Sequence, residues 1–395
     1  MSKVLFINGC AHGHINPTLP LVKELVDRGE EVFYVSAAEF RDKVVSNGAN
    51  YIDIGEKFAQ FNRSFKLTGS HPFYSVVDYF LKSDMLMVPL ILEKIVDIKP
   101  DYIIHDSIFG GGNIIGKLLN IPSICSCTTF AMNKLPLPPH MFERGFHPEL
   151  DALYYNLDNA AKELGVGELT LMDVFFKKEE LNIVYTSKAF QPDPESFDES
   201  FKFVGPSIGE RNELVNLTLE DLDGNDVVYI SMGTINNDNI EFYNKCIEAF
   251  KGEEMKVVLS IGKKSGVERL QSIPDNFIIR DYVPQLEVLK RADVFISHAG
   301  MNSVTEALYF EVPIVAIPQA NDQHMIARQI VMSGAGISLK ADDITPEQLT
   351  NSVAHVLSES KFKETSRRIG KSFREAGGYK AAVEYIFEYK KIKSL

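Results

Sequence analysis

Short apolar runs recur along the chain, each closed by a small or polar residue and followed by apolar positions at helical spacing. Lys3–Ile7 is the first run, and Asn16-Pro17 then offers an N-cap and a first-turn proline to a helix. Leu19, Val22 and Val26 share one face of that helix, Gly29 ends it, and Glu31–Val35 begins the next strand, which makes a βαβ unit. Tyr51–Ile54, Asp101–His105, Ile121–Ser126 and Leu181–Thr186 are further predicted strands, so the first half reads as a doubly wound parallel sheet. Phe201–Val204 runs into Gly205-Pro206, and the polar, acidic stretch up to Asp226 marks 206–226 as a linker. A second series follows: Val227–Met232, a helix bearing Ile240, Tyr243, Ile247 and Phe250, then Lys256–Ile261, Phe277–Ile279, Val294–Ser297 and Pro313–Ile317. Helix dominates from Thr345-Pro346 onward. The expected fold is α/β, with two successive doubly wound halves and no short-period repeat.

Two segments depart from this alternation. From about Phe58 to Leu92 and from Phe130 to Phe176 the chain is rich in Phe, Tyr, Leu and Met without a clean period. They fit helices covering a core, or a pliable apolar pocket for a small molecule. Insertions this long beyond a minimal βαβ framework favour the pocket.

Composition narrows the function. With 395 residues and 45% hydrophobic content, there is material for two domains. A net charge of −13 argues against nucleic acid, whose phosphates need clustered Lys and Arg. Cys10, Cys125, Cys127 and Cys246 form no CxxC pair, and a Cys125–Cys127 disulfide within one strand would be strained, so a reduced cytoplasmic setting is expected. The apolar start is too short for a secretory signal, and LMVPLILEKIV carries Pro89, Glu93 and Lys94, so no membrane span is expected.

The chemistry sits at the turns. Ser297-His298-Ala299-Gly300 follows an apolar run, and Ser303 is expected to open a helix whose N-terminus offers amide donors to a phosphate. His14 lies in a glycine-containing loop between a strand end and a helix start, where it serves either as a hydrogen bonder or as a base. Asp106 follows a strand and either caps the next helix or orients a base. His12 makes an HxH pair with His14 but has no third metal ligand at persuasive spacing, so it is assigned a structural role. Gly110-Gly111-Gly112 fails the dinucleotide fingerprint because Ile115 stands at its third glycine position, and no P-loop is present.

DYVPQ, SHAGMNSVTEAL and PQANDQ, in that order and spacing, together with AHGHINPTL, resemble the signature of nucleotide-sugar-dependent glycosyltransferases. The likeness is to the branch with bacterial macrolide and flavonoid glucosyltransferases, and it covers nearly the whole chain. It implies the GT-B architecture of two facing Rossmann-like domains: residues 1–205 for the acceptor, joined by a last helix at 378–395, and 227–377 for the donor. It implies that His14 is the general base toward the acceptor hydroxyl and that Asp106 orients it. Tyr282 stands where plant relatives stack a tryptophan on uracil, Val283 offers its backbone to the base edge, and Gln285 closes that motif. Glu306 matches the carboxylate on the ribose hydroxyls, and because deoxyribose lacks one of them, UDP is expected over dTDP. Ser231, Gly233, Thr234, His298, Gly300, Asn302 and Ser303 would surround the diphosphate, and Asp322 with Gln323 would hold sugar hydroxyls. No DxD-type loop is evident, so no metal or other cofactor is expected. HAGMNS against the plant HCGWNS leaves the choice of sugar, with glucose favoured, less determined than the fold.

The implied partners are a UDP-sugar and a hydrophobic small-molecule acceptor, with a monomer as the default state. Two other readings stay open: a nucleotide-sugar 2-epimerase, which would need carboxylates near the sugar, and a non-catalytic nucleotide-sugar binder, which would not need the His14 and Asp106 pair.

Overall fold

Val4, Leu5, Phe6 and Ile7 are buried on both faces of their strand, as the centre of a parallel sheet requires. The computed structural model describes residues 2–64, 70–209, 219–234, 237–320 and 322–395. Residues 210–218 of the expected linker, 65–69 of the first aromatic-rich insertion and 321 of the PQANDQ loop lie outside the described residues.

The chain divides into two compact units: Met1–Tyr185, Asp193–Gly209 and Gly377–Leu395 make the first, and Thr186–Pro192 with Glu210–Ala376 the second. The strands of the first unit are β1 (Lys3–Ile7), β2 (Glu31–Ser36), β3 (Asn50–Asp53), β4 (Tyr102–Asp106), β5 (Ser123–Cys127), β6 (Asn182–Val184) and β7 (Phe201–Phe203). They lie parallel in the order β3-β2-β1-β4-β5-β6-β7. Strand order reverses between β1 and β4, where Phe6 faces Ile104 and Ile7 faces His105, and such a switch point opens a crevice at the carboxyl ends. Cys125 Sγ and Cys127 Sγ are 3.5 Å apart as free thiols on one face of β5.

The second unit holds β8 (Val227–Ser231), β9 (Lys256–Ser260), β10 (Phe277–Arg280), β11 (Val294–Ser297), β12 (Ile314–Ala316) and β13 (Gly336–Ser338). They too are parallel, in the order β10-β9-β8-β11-β12-β13, with the switch between β8 and β11.

Three elements differ from the sequence pattern. The first helical turn begins at His12 with Ala11 before it, so His14 sits in a helix rather than a loop, and Asn16-Pro17 forms a 3-10 turn leading to the helix Leu19–Asp27. Asn8 explains the early start, because its side chain donates to His14 O at 2.8 Å and to Tyr34 Oη at 2.8 Å, fixing that turn from below. The helix after β11 opens at Met301, two residues before Ser303, because Gly300 is its N-cap. β13 was not expected at all: Gly-Ile-Ser is too short to carry a period, and its Gly336 is required because a Cβ there would lie 1.9 Å from Ile314 O.

The aromatic-rich insertions form the helices Pro72–Ile95, Pro148–Leu164 and Leu171–Phe175. Their inner faces, with Tyr74, Val77, Leu81, Val88, Leu153 and Val174, are core of the first unit. No helix among the described residues is long and apolar enough to cross a membrane.

Candidate active site

In the first unit, the switch point brings His14 and Asp106 together. His14 Nδ1 lies 2.6 Å from Asp106 Oδ2 and 2.9 Å from Thr128 Oγ1 at the end of β5. Asp106 Oδ1 accepts from the Ile108 amide at 2.8 Å and the Phe109 amide at 3.0 Å. Burial opposes ionisation of Asp106, but the charge and hydrogen bond of His14 and these two amides outweigh it, holding the carboxyl below its ordinary value. With Asp106 ionised and hydrogen-bonded to Nδ1, the proton of neutral His14 belongs on Nδ1, and Nε2 carries the basic lone pair.

Phe109 meets the His14 ring edge-on at 5.1 Å between centroids. From there half-buried rings continue outward, Phe80 at 5.4 Å from Phe109 and Phe175 at 6.4 Å from Phe80. Phe73 then stands 4.9 Å from Phe175. Gly9 makes room for the start of this wall: a Cβ there would lie 2.7 Å from the Phe109 ring and 3.2 Å from the His14 ring. Gly112 has a comparable role, since its Cβ would lie 2.2 Å from His105 Cβ, so the glycine run serves close helix-on-strand packing. His12 packs edge-on against Phe40 at 4.9 Å, consistent with a structural role.

In the second unit, two groupings form at the carboxyl ends of β8 and β11. His298 is sunk between two glycines: a Cβ on Gly233 would lie 2.6 Å from its ring, and one on Gly300 would lie 2.4 Å from Nε2. Burial pushes its imidazole down to about 4. Ala299, fully buried, has φ of 63°, a left-handed position that a side chain rarely occupies, and so turns the chain sharply into the helix Met301–Tyr309. Asn302 and Ser303 fall in the first turn of that helix, where amide N–H groups have no acceptor within the helix.

Glu306 is buried one turn later. Gln285 Nε2 donates to Glu306 Oε2 at 2.6 Å, and the Tyr229 hydroxyl donates to Gln285 Oε1 at 3.1 Å. The carboxylate is thereby oriented from β8 through Gln285. Val283 is buried and Tyr282 is 47% exposed. Ser231 ends β8, whereas Thr234 is exposed beyond Gly233. Gln323 uses its amide oxygen to accept from the backbone of Gln319 at 2.8 Å and Ala320 at 3.1 Å. Asp322, beside it, is exposed and precedes the helix Gln323–Ser333.

Thr128, Phe109 and Tyr229 join these groupings without having been singled out in the sequence. Thr128 and Tyr229 had a weak signal, as a hydroxyl at the end of an apolar run and another within one. Phe109 had none. Among the described residues, no three His, Cys, Asp or Glu are grouped to hold a metal ion.

Residues 247–375 match the family described as erythromycin biosynthesis protein CIII-like, C-terminal domain. The Uncharacterized UDP-glucosyltransferase YojK of Bacillus subtilis (strain 168) is 36% identical over 400 residues, covering 100% of this chain and 99% of its own. The NDP-glycosyltransferase YjiC of the same organism is 34% identical over 403 residues, covering 98% and 97%. The crystal structure of CalG4, the calicheamicin glycosyltransferase, superposes with a TM-score of 0.86 at 26% identity, over 99% of this chain and 98% of that one.

Proposed function

Because this chain belongs to the nucleotide-sugar-dependent glycosyltransferases of GT-B fold, we propose that it transfers a hexose from UDP to a hydroxyl of a hydrophobic small molecule, with inversion at the anomeric carbon. The observation that carries this reading is the 2.6 Å contact of His14 with an Asp106 held on its other oxygen by two amides.

His14 Nε2 takes the proton of the acceptor hydroxyl as its oxygen attacks the anomeric carbon. The bond from that carbon to the UDP oxygen breaks, and the positive charge on His14 is balanced by Asp106. On the donor side, His298 and the amides at Asn302 and Ser303 meet the diphosphate, whose growing negative charge suits a helix N-terminus. Such donors do the work of a cation, so no metal is needed. Glu306, aimed by Gln285 and Tyr229, accepts from both ribose hydroxyls, which favours UDP over dTDP. Tyr282 stacks on the base, with the Val283 backbone at its edge, and Asp322 and Gln323 read the sugar. The wall of Phe109, Phe80, Phe175 and Phe73 beside His14 suits a phenolic or polyketide acceptor. Glucose is the sugar in the name of YojK, and we take it as the sugar here.

The test is a panel of phenolic and macrolide acceptors with UDP-glucose, read by mass shift. His14→Ala should lose roughly 10²–10⁴-fold in turnover while keeping its UDP affinity. Unchanged turnover in that variant would sink the base assignment. Exhaustive chelation should leave turnover intact, and dTDP should compete less well than UDP. A Mg²⁺ requirement, or equal competition, would remove the respective part of the reading.

A further inference from the structure

Lys177 is fully buried, and none of the steps above uses it. Its ammonium donates to Ile108 O at 2.5 Å and Val174 O at 3.0 Å and forms an ion pair with Asp84, 3.1 Å from Oδ2. Its backbone N–H donates to Ser107 O at 2.8 Å. The carbonyls of Ser107 and Ile108 belong to the same two peptide groups whose N–H bonds, from Ile108 and Phe109, hold Asp106 Oδ1. Each peptide is thus gripped on both sides, its oxygen by Lys177 and its N–H by Asp106. Donation to a carbonyl polarises the peptide, strengthens its N–H as a donor and resists rotation of its plane.

Asp84, on the helix Pro72–Ile95, supplies the balancing charge. Burial pushes its carboxyl up to about 6, against the pull of Lys177. His105 also faces Asp84, and its Nε2 lies 3.0 Å from Glu179 Oε1. A buried ion pair of this kind is weak evidence for stability, because well-packed apolar side chains commonly serve as well or better. The grip of its ammonium on the Ile108-Phe109 peptide beneath Asp106 is a more specific role.

We propose that the Lys177 side chain, neutralised by Asp84, is a positioning group for glycosyl transfer: it locks the Ile108-Phe109 peptide, whose neighbour Ser107-Ile108 is held by the Lys177 backbone N–H, so that Asp106 stays aligned with His14 Nδ1. This rests on the reading of His14 as the base and goes beyond it.

The test replaces the pair together, Asp84→Val with Lys177→Met, so that no unpaired charge is buried and the net charge near His14 does not change. His14 is titrated by NMR in histidine-labelled protein, its signal assigned by loss in His14→Gln, and turnover is followed with UDP-glucose and the best panel acceptor. With Asp106 no longer aligned, the His14 midpoint should fall, because the charged imidazole loses its carboxylate partner. kcat should drop roughly 10- to 100-fold at unchanged KM for UDP-glucose. Lys177→Arg, which keeps charge and donors, should recover part of both. A folded double variant with the wild-type midpoint and kcat overturns the proposal. Should that variant not fold, Asp84→Asn with Lys177→Gln, which keeps the site polar, is judged by the same two outcomes. Asp106→Asn tells the two readings apart. If it leaves turnover and midpoint untouched, the base assignment itself is wrong; if it abolishes turnover while the double variant does not, only the role of Lys177 is lost.

Discussion

His298 shows how a single side chain is tuned by its surroundings. Held at about 4 by burial, its imidazole is neutral at pH 7, and in the proposed donor site it would offer the diphosphate an N–H rather than a full charge. An anion beside it favours the protonated form, so UDP binding should draw a proton onto His298, and affinity should rise as pH falls from about 7 toward 5. Calorimetry in two buffers of different ionisation enthalpy measures that uptake, and His298→Gln should remove it; an unchanged uptake in the variant would assign the proton elsewhere. The sign for folding is opposite. Without ligand, the unfolded chain protonates this residue near 6.5 and the folded one only near 4, so stability is lost as pH falls through that window. Residue identities at the motif positions were legible because the chemistry demands specific types there: an imidazole near a carboxylate, a buried carboxylate, a histidine at a glycine turn. Thr128, Tyr229 and Lys177 were not, because a hydroxyl or an ammonium becomes meaningful only when the fold sets it 2.5 to 3.1 Å from its partner.

At the level of elements, the strand-to-helix turns carry the design. Gly9 ends its turn without a side chain, so that Phe109 and His14 can close over it. Gly9→Ala should therefore push those rings apart, lowering turnover at least roughly 10-fold while costing about 1–3 kcal/mol of stability. Urea unfolding with parallel kinetics checks it; activity that falls no more than the folded fraction would mean the glycine serves packing alone. The strands were readable because buried parallel strands are continuous apolar runs, as in β1, β4, β8 and β11. Helix starts were less so. His12 and Met301 begin their helices through contacts made in space, by Asn8 and by the turn at Ala299, where local capping residues pointed further along the chain.

For the whole molecule, the helix Gly378–Lys393 is the closing piece of the first unit. Ala382, Val383 and Ile386 pack with Leu21, Val22 and Leu25, and Lys390 forms a buried pair with Glu30, whose other oxygen takes the Tyr102 hydroxyl at 3.0 Å. Removing residues 377–395 should strand Glu30 as a buried charge and expose that apolar face, destabilising the first unit by at least about 3 kcal/mol. Hydrogen exchange should show protection lost in β1, β2 and β4 but retained in β8 and β11. Equal loss in both sheets would mean that the helix stabilises more than its own unit. The same arrangement sets a problem of timing. A ribosome releases the N-terminus first, at about 5–20 residues per second, so the roughly 170 residues of the second unit hold back the closing helix for about 10–30 s. Throughout that interval the nascent first sheet waits with Leu21, Val22 and Leu25 uncovered, which makes it a natural client for a chaperone at the exit tunnel.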